Sequence, residues 1–533
     1  MQSPPPDSRH VALFIFLLQG VGMLFPWNVF INAEDYFLRR FRDSEFEGLF
    51  EDSFAVCYNA ASVVGLIFAL RFQHHFSIRW RVMASLVVCT FAMVMCCILV
   101  ILPKARPFQL FITTMMLVII CGLAAATLQG ALFAFGTFFP PKYVQALLVG
   151  QAVAGLAVSL ASISTNLVGK DDRSCIPDMD RPMTEFLSIH THDELHQGVR
   201  SAAAAEAAAA ARGAGSSRVV LRYLDAETPE YKTDWETLAY FVIAVGVLLS
   251  CLVTYPILER LPLAKFYAQP SGQNAAVGQC GDADGGEAAN GSWGEVCDDA
   301  SGNDASMGSS ASRAPSGTPT FHLLATKNLL REGQDSSVVG KEDEGDGLVN
   351  EKSGLIHGLR IRLAPISRCA FSVFMVFTIT LAIFPGATSK IVSRIGCRSG
   401  RPRFFSRDTF TLFSFVSFNA FDILGRVVTS VVALPDAWLP AAAMLRSVFL
   451  VLFLGCRSES TRTRTLFPSD VFPLVIMPLF GFTNGYVATR AMMAGSRYGP
   501  WAATAMTMFL LCGLLCGSLL SFLVLYLSTG SID

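Results

Sequence analysis

The sequence predicts an all-α integral membrane protein with eleven transmembrane helices. Three observations lead there. Of its 533 residues, 52% are hydrophobic and only 16% are charged, with a mean hydropathy of +0.47, which is a membrane profile. Apolar runs recur at the roughly 20-residue length a helix needs to cross the hydrocarbon core. A long polar segment separates the sixth run from the seventh, so the spans group as six and five.

The first run, 11–33, is too long for a signal-peptide core, and no small-residue cleavage pattern ends it. Spans follow at 52–72, 80–102, 108–138 and 143–168. The fourth and fifth meet at Phe-Phe-Pro-Pro-Lys, 138–142, where a proline pair breaks the helix. The fourth run is long enough to extend beyond the bilayer. Residues 169–235 form a polar loop whose alanine-rich tract, Ser201 to Arg212, has no partner face to hold it as a helix. The sixth span covers 237–258, so the amino-terminal half occupies 1–168 and 236–260. Residues 261–362 are rich in Gly, Ser, Asp and Glu, the composition of a disordered linker. The carboxyl-terminal half, 363–533, holds spans near 364–387, 408–433, 437–456, 470–490 and 500–528. Gly122, Ala126 and Gly130 on one face of the fourth helix, and Gly513 and Gly517 in the last, mark close helix contacts.

Several function classes are excluded. A net charge of -1 suggests no nucleic-acid partner. Many of the cysteines, such as Cys96, Cys97, Cys512 and Cys516, sit in apolar runs as small hydrophobes. No zinc spacing appears, so no metal and no cofactor is expected. The histidines of HTHDELH, 190–196, lie in a polar loop and lack the HExxH pattern. No GxxxxGK[ST], GxSxG or HExxH sequence supports ATP hydrolysis or an intramembrane hydrolase.

Polar residues deep in the spans carry the chemistry, because hydrocarbon penalises each ionised group by about 2.5–3.5 kcal/mol even on lenient insertion scales. The eighth span gives the clearest case in SFNAFDILGR, Ser417 to Arg426. Asp422 and Arg426 are i, i+4 neighbours, and Asn419 lies three residues before Asp422. Asp accepts from hydroxyls and Arg donates in a fixed fork, a pair suited to a polar solute; the bland alternative is an ion pair that only locks helices. In the first span, GMLFPWNVF, Pro26 removes a backbone donor and is expected to free a carbonyl near Phe25–Trp27. Trp27 offers a flat apolar face and Asn28 a donor and an acceptor, against the alternative of an interfacial aromatic belt. Gln129 in the fourth span is an amide that can pair with a purine edge, or serve as interhelical glue. Arg446 and Asn484 are read as structural. Loop charge places the amino terminus outside: with it inside, Arg39, Arg40, Arg42, Lys104, Arg106, Arg457 and the cluster from Lys390 to Arg407 would face out.

These residues resemble the equilibrative nucleoside transporter family. LFPWNVFINAEDYF at 24–37 is similar to its first-helix signature. LQGALFAFGTFFPPKY at 128–143 with GQAVAGLAVSLASI at 150–163 is similar to the fourth and fifth helices. FTITLAIFPG at 377–386, FNAFDILGR at 418–426 and FTNGYVATRAM at 482–492 resemble the seventh, eighth and tenth. The resemblance implies a 6+5 fold akin to major-facilitator carriers, with a cytoplasmic amino terminus and linker and an extracellular carboxyl terminus. That reverses the charge count, and a glycan on the sequon Asn290-Gly-Ser would overturn it. It implies a nucleoside as substrate, bound by Trp27 with its neighbours Leu24 and Asn28, by Gln129 at the base, and by Asp422 and Arg426 at the ribose with Asn419 in support. It further implies a monomer in the lipid bilayer, by default the plasma membrane. Arg490 departs from the family pattern; the alternatives are a side chain that only snorkels to the interface and a cation near the pore that alters selectivity. Asp422 is the acid placed at depth and Arg426 balances it, which favours facilitative transport by alternating access over a proton-coupled nucleoside or nucleobase carrier.

Overall fold

The computed structural model describes residues 4–41, 44, 50–73, 75–102, 106–168, 234–268, 360–393, 407–456 and 465–529. Among these, 11 helices are long and apolar enough to cross a membrane. In chain order they are α1 (Val11–Asn32), α2 (Phe50–Phe72), α3 (Ile78–Ile101), α4 (Pro107–Gly136), α5 (Pro141–Val168), α6 (Trp235–Arg260), α7 (Ser367–Ile383), α8 (Arg407–Val428), α9 in two pieces (Leu439–Leu445 and Val448–Leu454), α10 (Val471–Ser496) and α11 (Pro500–Thr529). Six precede residue 268 and five follow residue 360.

Local sequence sets the ends. The break at 138–140 leaves Pro141 at the start of α5, where its missing N–H costs nothing. Asp7 caps α1 by accepting from the Ala12 and Leu13 amides at 3.0 and 3.2 Å, and Asp234 caps α6 by accepting from the Thr237 amide at 3.2 Å. A short helix, Pro262–Ala268, continues past α6 into the segment read from composition as linker. The alanine tract, the HTHDELH histidines, the Asn290 sequon and most of the basic cluster after Lys390 lie outside the described residues.

Two elements differ from the sequence reading. The ninth span was expected to be continuous over 437–456, but it is interrupted at Arg446–Ser447. There the amides turn to i−3 carbonyls, with Arg446 N to Ala443 O at 3.3 Å and Phe449 N to Arg446 O at 3.0 Å. No Pro or Gly causes this break; a tight 3₁₀ turn does. In contrast, α1 runs unbroken through Pro26. The acceptor that a helical proline deprives is the carbonyl four residues earlier, so the expected gap near Phe25–Trp27 belongs to Gly22.

Each helix turns apolar faces both ways. On α3, Leu86, Cys89, Met93 and Cys96 are buried while Val87, Phe91, Val94 and Ile98 are exposed, a lipid-facing stripe at helical spacing. Within the first six helices, α1 packs on α5 and α6, α4 on α2 and α3, and α3 on α6. Within the last five, α7 packs on α11, α10 and α9, and α8 on α10. The two groups meet where α5 touches α8 and where α11 touches α2 and α4.

Four of the pairs within a group are drawn together by glycine. A Cβ on Gly20 of α1 would run into the Leu147 carbonyl of α5, and one on Gly150 into the Leu17 carbonyl. Gly65 and Gly122 do the same between α2 and α4, where a Cβ on Gly122 would lie 2.7 Å from the Tyr58 carbonyl oxygen. Gly513 and Gly517 of α11 abut the Phe374 and Thr378 carbonyls of α7. Gly481 and Gly485 of α10 abut the Phe418 and Asp422 carbonyls of α8. The expected contact role of Gly122, Gly130, Gly513 and Gly517 is thus what the packing uses them for.

Candidate functional site

The site is built on α8. Its helical repeat puts Asp422 and Arg426 on one face, and the contact with α10 through Gly485 buries that face. Asp422 and Arg426 are 3% and 5% exposed. Arg426 Nε donates to Asp422 Oδ2 at 2.8 Å, and its Nη1 donates to the Leu148 carbonyl of α5 at 2.8 Å. The couple is therefore intrahelical in its charge and intergroup in its reach. The other carboxylate oxygen, Asp422 Oδ1, accepts from Asn484 Nδ2 of α10 at 2.8 Å.

Asn484 leads to a second cation. Its Oδ1 accepts from the Thr380 hydroxyl of α7 at 2.8 Å and from Arg446 Nη2 at 3.4 Å. Arg446 is 2% exposed, at a depth where an arginine costs about 2.5–3.5 kcal/mol on insertion scales. Its two terminal nitrogens are held, while the buried Nε makes no hydrogen bond among the described residues. Nη1 donates to the Phe480 carbonyl at 3.0 Å and to Thr483 Oγ1 at 2.5 Å, and Nη2 donates to Thr380 Oγ1 at 2.7 Å. The guanidinium also lies 4.8 Å from the centre of the Phe480 ring, a cation–π contact. The turn that interrupts α9 is where this side chain departs. Phe480 packs in turn on Phe418 at 5.6 Å, and Phe418 stacks on Phe384 at 4.4 Å, so aromatic rings border the polar chain.

Asn419 faces elsewhere. Its Nδ2 donates to Ser159 Oγ of α5 and to the Phe415 carbonyl, both at 3.0 Å, and its Oδ1 sits against Gly155. It joins α8 to α5 and makes no hydrogen bond to Asp422. Gln145 of α5 joins the same two helices, donating to the Arg426 carbonyl at 2.8 Å and to Thr429 Oγ1 at 3.1 Å. On the amino-terminal side, Trp27 is half-buried and stacks on Tyr58 of α2 at 4.4 Å. Leu24 and Asn28, one turn apart on α1, are half-buried as well. Gln129 is buried on α4, and its amide makes no hydrogen bond with any described residue. Among the described residues no hydrogen bond or ring contact joins Trp27 or Gln129 to the Asp422–Arg426 couple.

The structure thus brings together Asp422 and Arg426 as expected, and adds Asn484, Thr380 and Arg446, which sequence reading set aside as structural or did not consider. The available signal was depth: each is a polar group within an apolar run. What sequence could not give is that Thr380 and Arg446 meet Asn484, and that Asn484 in turn meets the carboxylate. Arg490 is another difference. It does not stand as a free cation near a pore but donates to the Leu434 carbonyl and to Asp436 Oδ1, both at 3.1 Å, fastening α10 to the α8–α9 connection.

Eleven helices long and apolar enough to cross a membrane, with a buried, hydrogen-bonded charge chain among them, define a multi-pass membrane protein. The family profile described as nucleoside transporter matches residues 114–177 and 214–526, and the chain belongs to that family. It is 24% identical to equilibrative nucleoside transporter 1 of Homo sapiens over 566 aligned positions that cover 98% of each chain. It is 26% identical to equilibrative nucleoside transporter 2 of Homo sapiens, covering 97% of this chain and 98% of that one. Among solved structures, the fucose:proton symporter of E. coli aligns with a TM-score of 0.44 and 11% identity, covering 97% of this chain and 98% of that one. The protein is a transporter and not an enzyme.

Proposed function

We propose that this protein carries nucleosides, purine ribosides such as adenosine among them, down their gradient across the membrane by alternating access. The single observation that supports this most is the enclosed Asp422–Arg426 couple, whose remaining lone pairs and N–H groups suit a vicinal diol. Trp27 with Leu24 would cover the base, Asn28 and Gln129 would bond its edge, and Asn419 would hold α8 in register with α5. Both carboxylate oxygens of Asp422 accept hydrogen bonds from the protein, one from Arg426 and the other from Asn484. The reading places a monomer in the plasma membrane with a cytoplasmic amino terminus and an extracellular carboxyl terminus, in a six-plus-five arrangement of major-facilitator type.

Alternating access needs groups of helices that move as bodies and seams that part. The glycine-locked pairs lie within the groups, and side-chain hydrogen bonds such as Gln145 to Arg426 O cross between them. The test is uptake of labelled adenosine into proteoliposomes. Expected are saturable flux that stops when the two sides equalise, competition by ribosides above their bare bases, and no concentrative uptake under an imposed pH gradient. Asp422→Ala and Arg426→Ala should each lower flux by about a hundredfold, the scale of leaving a buried charge without its partner. Full flux in either variant would remove the couple from the site, and uphill uptake driven by pH would replace facilitation with proton coupling.

A further inference from the structure

We infer that Arg446 and Asn484 form a positioning relay that fixes the Asp422 carboxylate for sugar hydroxyls, so that selectivity for a riboside is set partly from α9 and α10. This rests on the nucleoside-carrier reading above.

The direction of the relay follows from hydrogen-bond chemistry. A carboxylate only accepts and a guanidinium only donates, so an amide between them has one workable orientation. Asn484 must turn its Nδ2 to Asp422 Oδ1, at 2.8 Å, and its Oδ1 toward donors. Those donors are Thr380 at 2.8 Å and Arg446 at 3.4 Å. Arg446 also donates to Thr380 Oγ1 at 2.7 Å, and that hydroxyl shares its one hydrogen between Asn484 Oδ1, at 2.8 Å, and the Val376 carbonyl, at 2.7 Å. Asp422 is therefore gripped at one oxygen by Arg426 and at the other by a chain ending in Arg446.

The two grips differ in what anchors them. Arg426 is also tied to the Leu148 carbonyl of α5, a contact between the two groups of helices. Thr380, Asn484 and Arg446 lie on α7, α10 and α9, all within the last five helices. Parting the α5–α8 seam would release the Arg426 tie and leave the relay intact. The relay thus holds the carboxylate in one orientation whichever side the site faces, and a riboside meets the same acceptor on entry and on exit.

The experiment compares adenosine with its 2′,3′-dideoxy counterpart as substrates of the purified, reconstituted full-length protein, with flux normalised to folded carrier. Asn484→Ala and the near-isosteric Thr380→Val should each raise the half-saturation concentration for adenosine about tenfold, the scale of one hydrogen bond to a charged group. The value for the dideoxy compound should move less than about twofold, because it lacks the hydroxyls that read Asp422. Thr380→Ser, which keeps the hydroxyl, should restore the wild-type ratio, and Arg446→Met should mimic Thr380→Val. A merely structural role would lower the amount of carrier and leave the ratio alone. An unchanged ratio in Asn484→Ala and Thr380→Val, with the ratio lost in Asp422→Ala, overturns the relay and leaves the site standing. An unchanged ratio in Asp422→Ala overturns the site itself, and the relay with it.

Discussion

Close backbone-to-backbone contact at glycine occurs within each group, whereas the groups meet each other through side-chain hydrogen bonds. Inside the first six helices, α1–α5 and α2–α4 meet backbone to backbone at Gly20, Gly150, Gly65 and Gly122. Inside the last five, α7–α11 and α8–α10 meet the same way at Gly513, Gly517, Gly481 and Gly485. Between the groups, amides and hydroxyls do the joining: Asn59 to Ser518 at 2.8 Å across α2–α11, Asn419 to Ser159 at 3.0 Å and Gln145 to Arg426 O at 2.8 Å across α5–α8. A glycine contact is steric and has one closed form. A side-chain hydrogen bond within a membrane is worth about 0.6–2 kcal/mol and can be exchanged for water or solute. The seams thus lack the backbone-tight contacts that the pairs within each group have.

The largest expected effect breaks a group. A Cβ on Gly485 would run into the Asp422 carbonyl oxygen and lie 3.0 Å from its carboxylate. Gly485→Leu should therefore separate α8 from α10 and cost more than about 3 kcal/mol, the upper range of overpacking. Size-exclusion chromatography of solubilised protein should show loss of the monodisperse peak. A normal yield of Gly485→Leu would mean that α8 and α10 are not locked, and the contrast with the seams would fail.

The seams come next. Gln145→Leu removes hydrogen bonds to the Arg426 carbonyl and Thr429, and Asn59→Leu removes the bond to Ser518. Neither should change yield. Each should move the ratio of half-saturation constants for entry and exit by about threefold, the scale of one interhelical hydrogen bond. The two should move it in opposite senses if the seams close on opposite faces of the membrane. Loss of folded carrier in both would place the seams in the same class as the glycine contacts.

Much of this contrast was legible in the sequence, for a physical reason. Membrane spans announce themselves by length and hydropathy, so all eleven were visible, and Gly122 with Gly130 or Gly513 with Gly517 marked helix faces by spacing alone. The Asp422–Arg426 couple was visible because its i, i+4 spacing is local. What stayed hidden depends on partners far along the chain. Asn484 looked like any amide until α10 crossed α8 at Gly485. Arg446 looked like a lone charge because neither the turn at 446–447 nor Thr380, 66 residues away, is written in its own segment. Asn419 shares the Asp422 side of the helix by count, yet the groove it enters belongs to α5. The acceptor of Arg490, Asp436, lies in a connection 54 residues away, which the residues around Arg490 do not indicate.

The smallest effect concerns that last pair. Arg490 meets Asp436 Oδ1 at 3.1 Å, Arg497 meets Asp436 Oδ2 at 2.8 Å, and Tyr486 accepts from the Leu434 amide at 3.0 Å, so the α8–α9 connection is strapped to α10 at several points. The hydrogen bond with Tyr498 raises the Arg497 guanidinium further above its ordinary range, and Asp436 adds to it, so this cation stays charged at any working pH. The Arg490–Asp436 pair is partly buried and shares its carboxylate with the more open Arg497, so losing one of the two cations costs about 1 kcal/mol and the effect weakens with salt. Arg490→Ala should therefore lower the thermal midpoint by only a few degrees in low salt and by less in high salt, because the other contacts retain the strap. It should leave adenosine flux and the exclusion of charged competitors as they were. A change in which charged solutes compete would return Arg490 to the permeation path, and would show that the strap, not only the buried relay, reads the substrate.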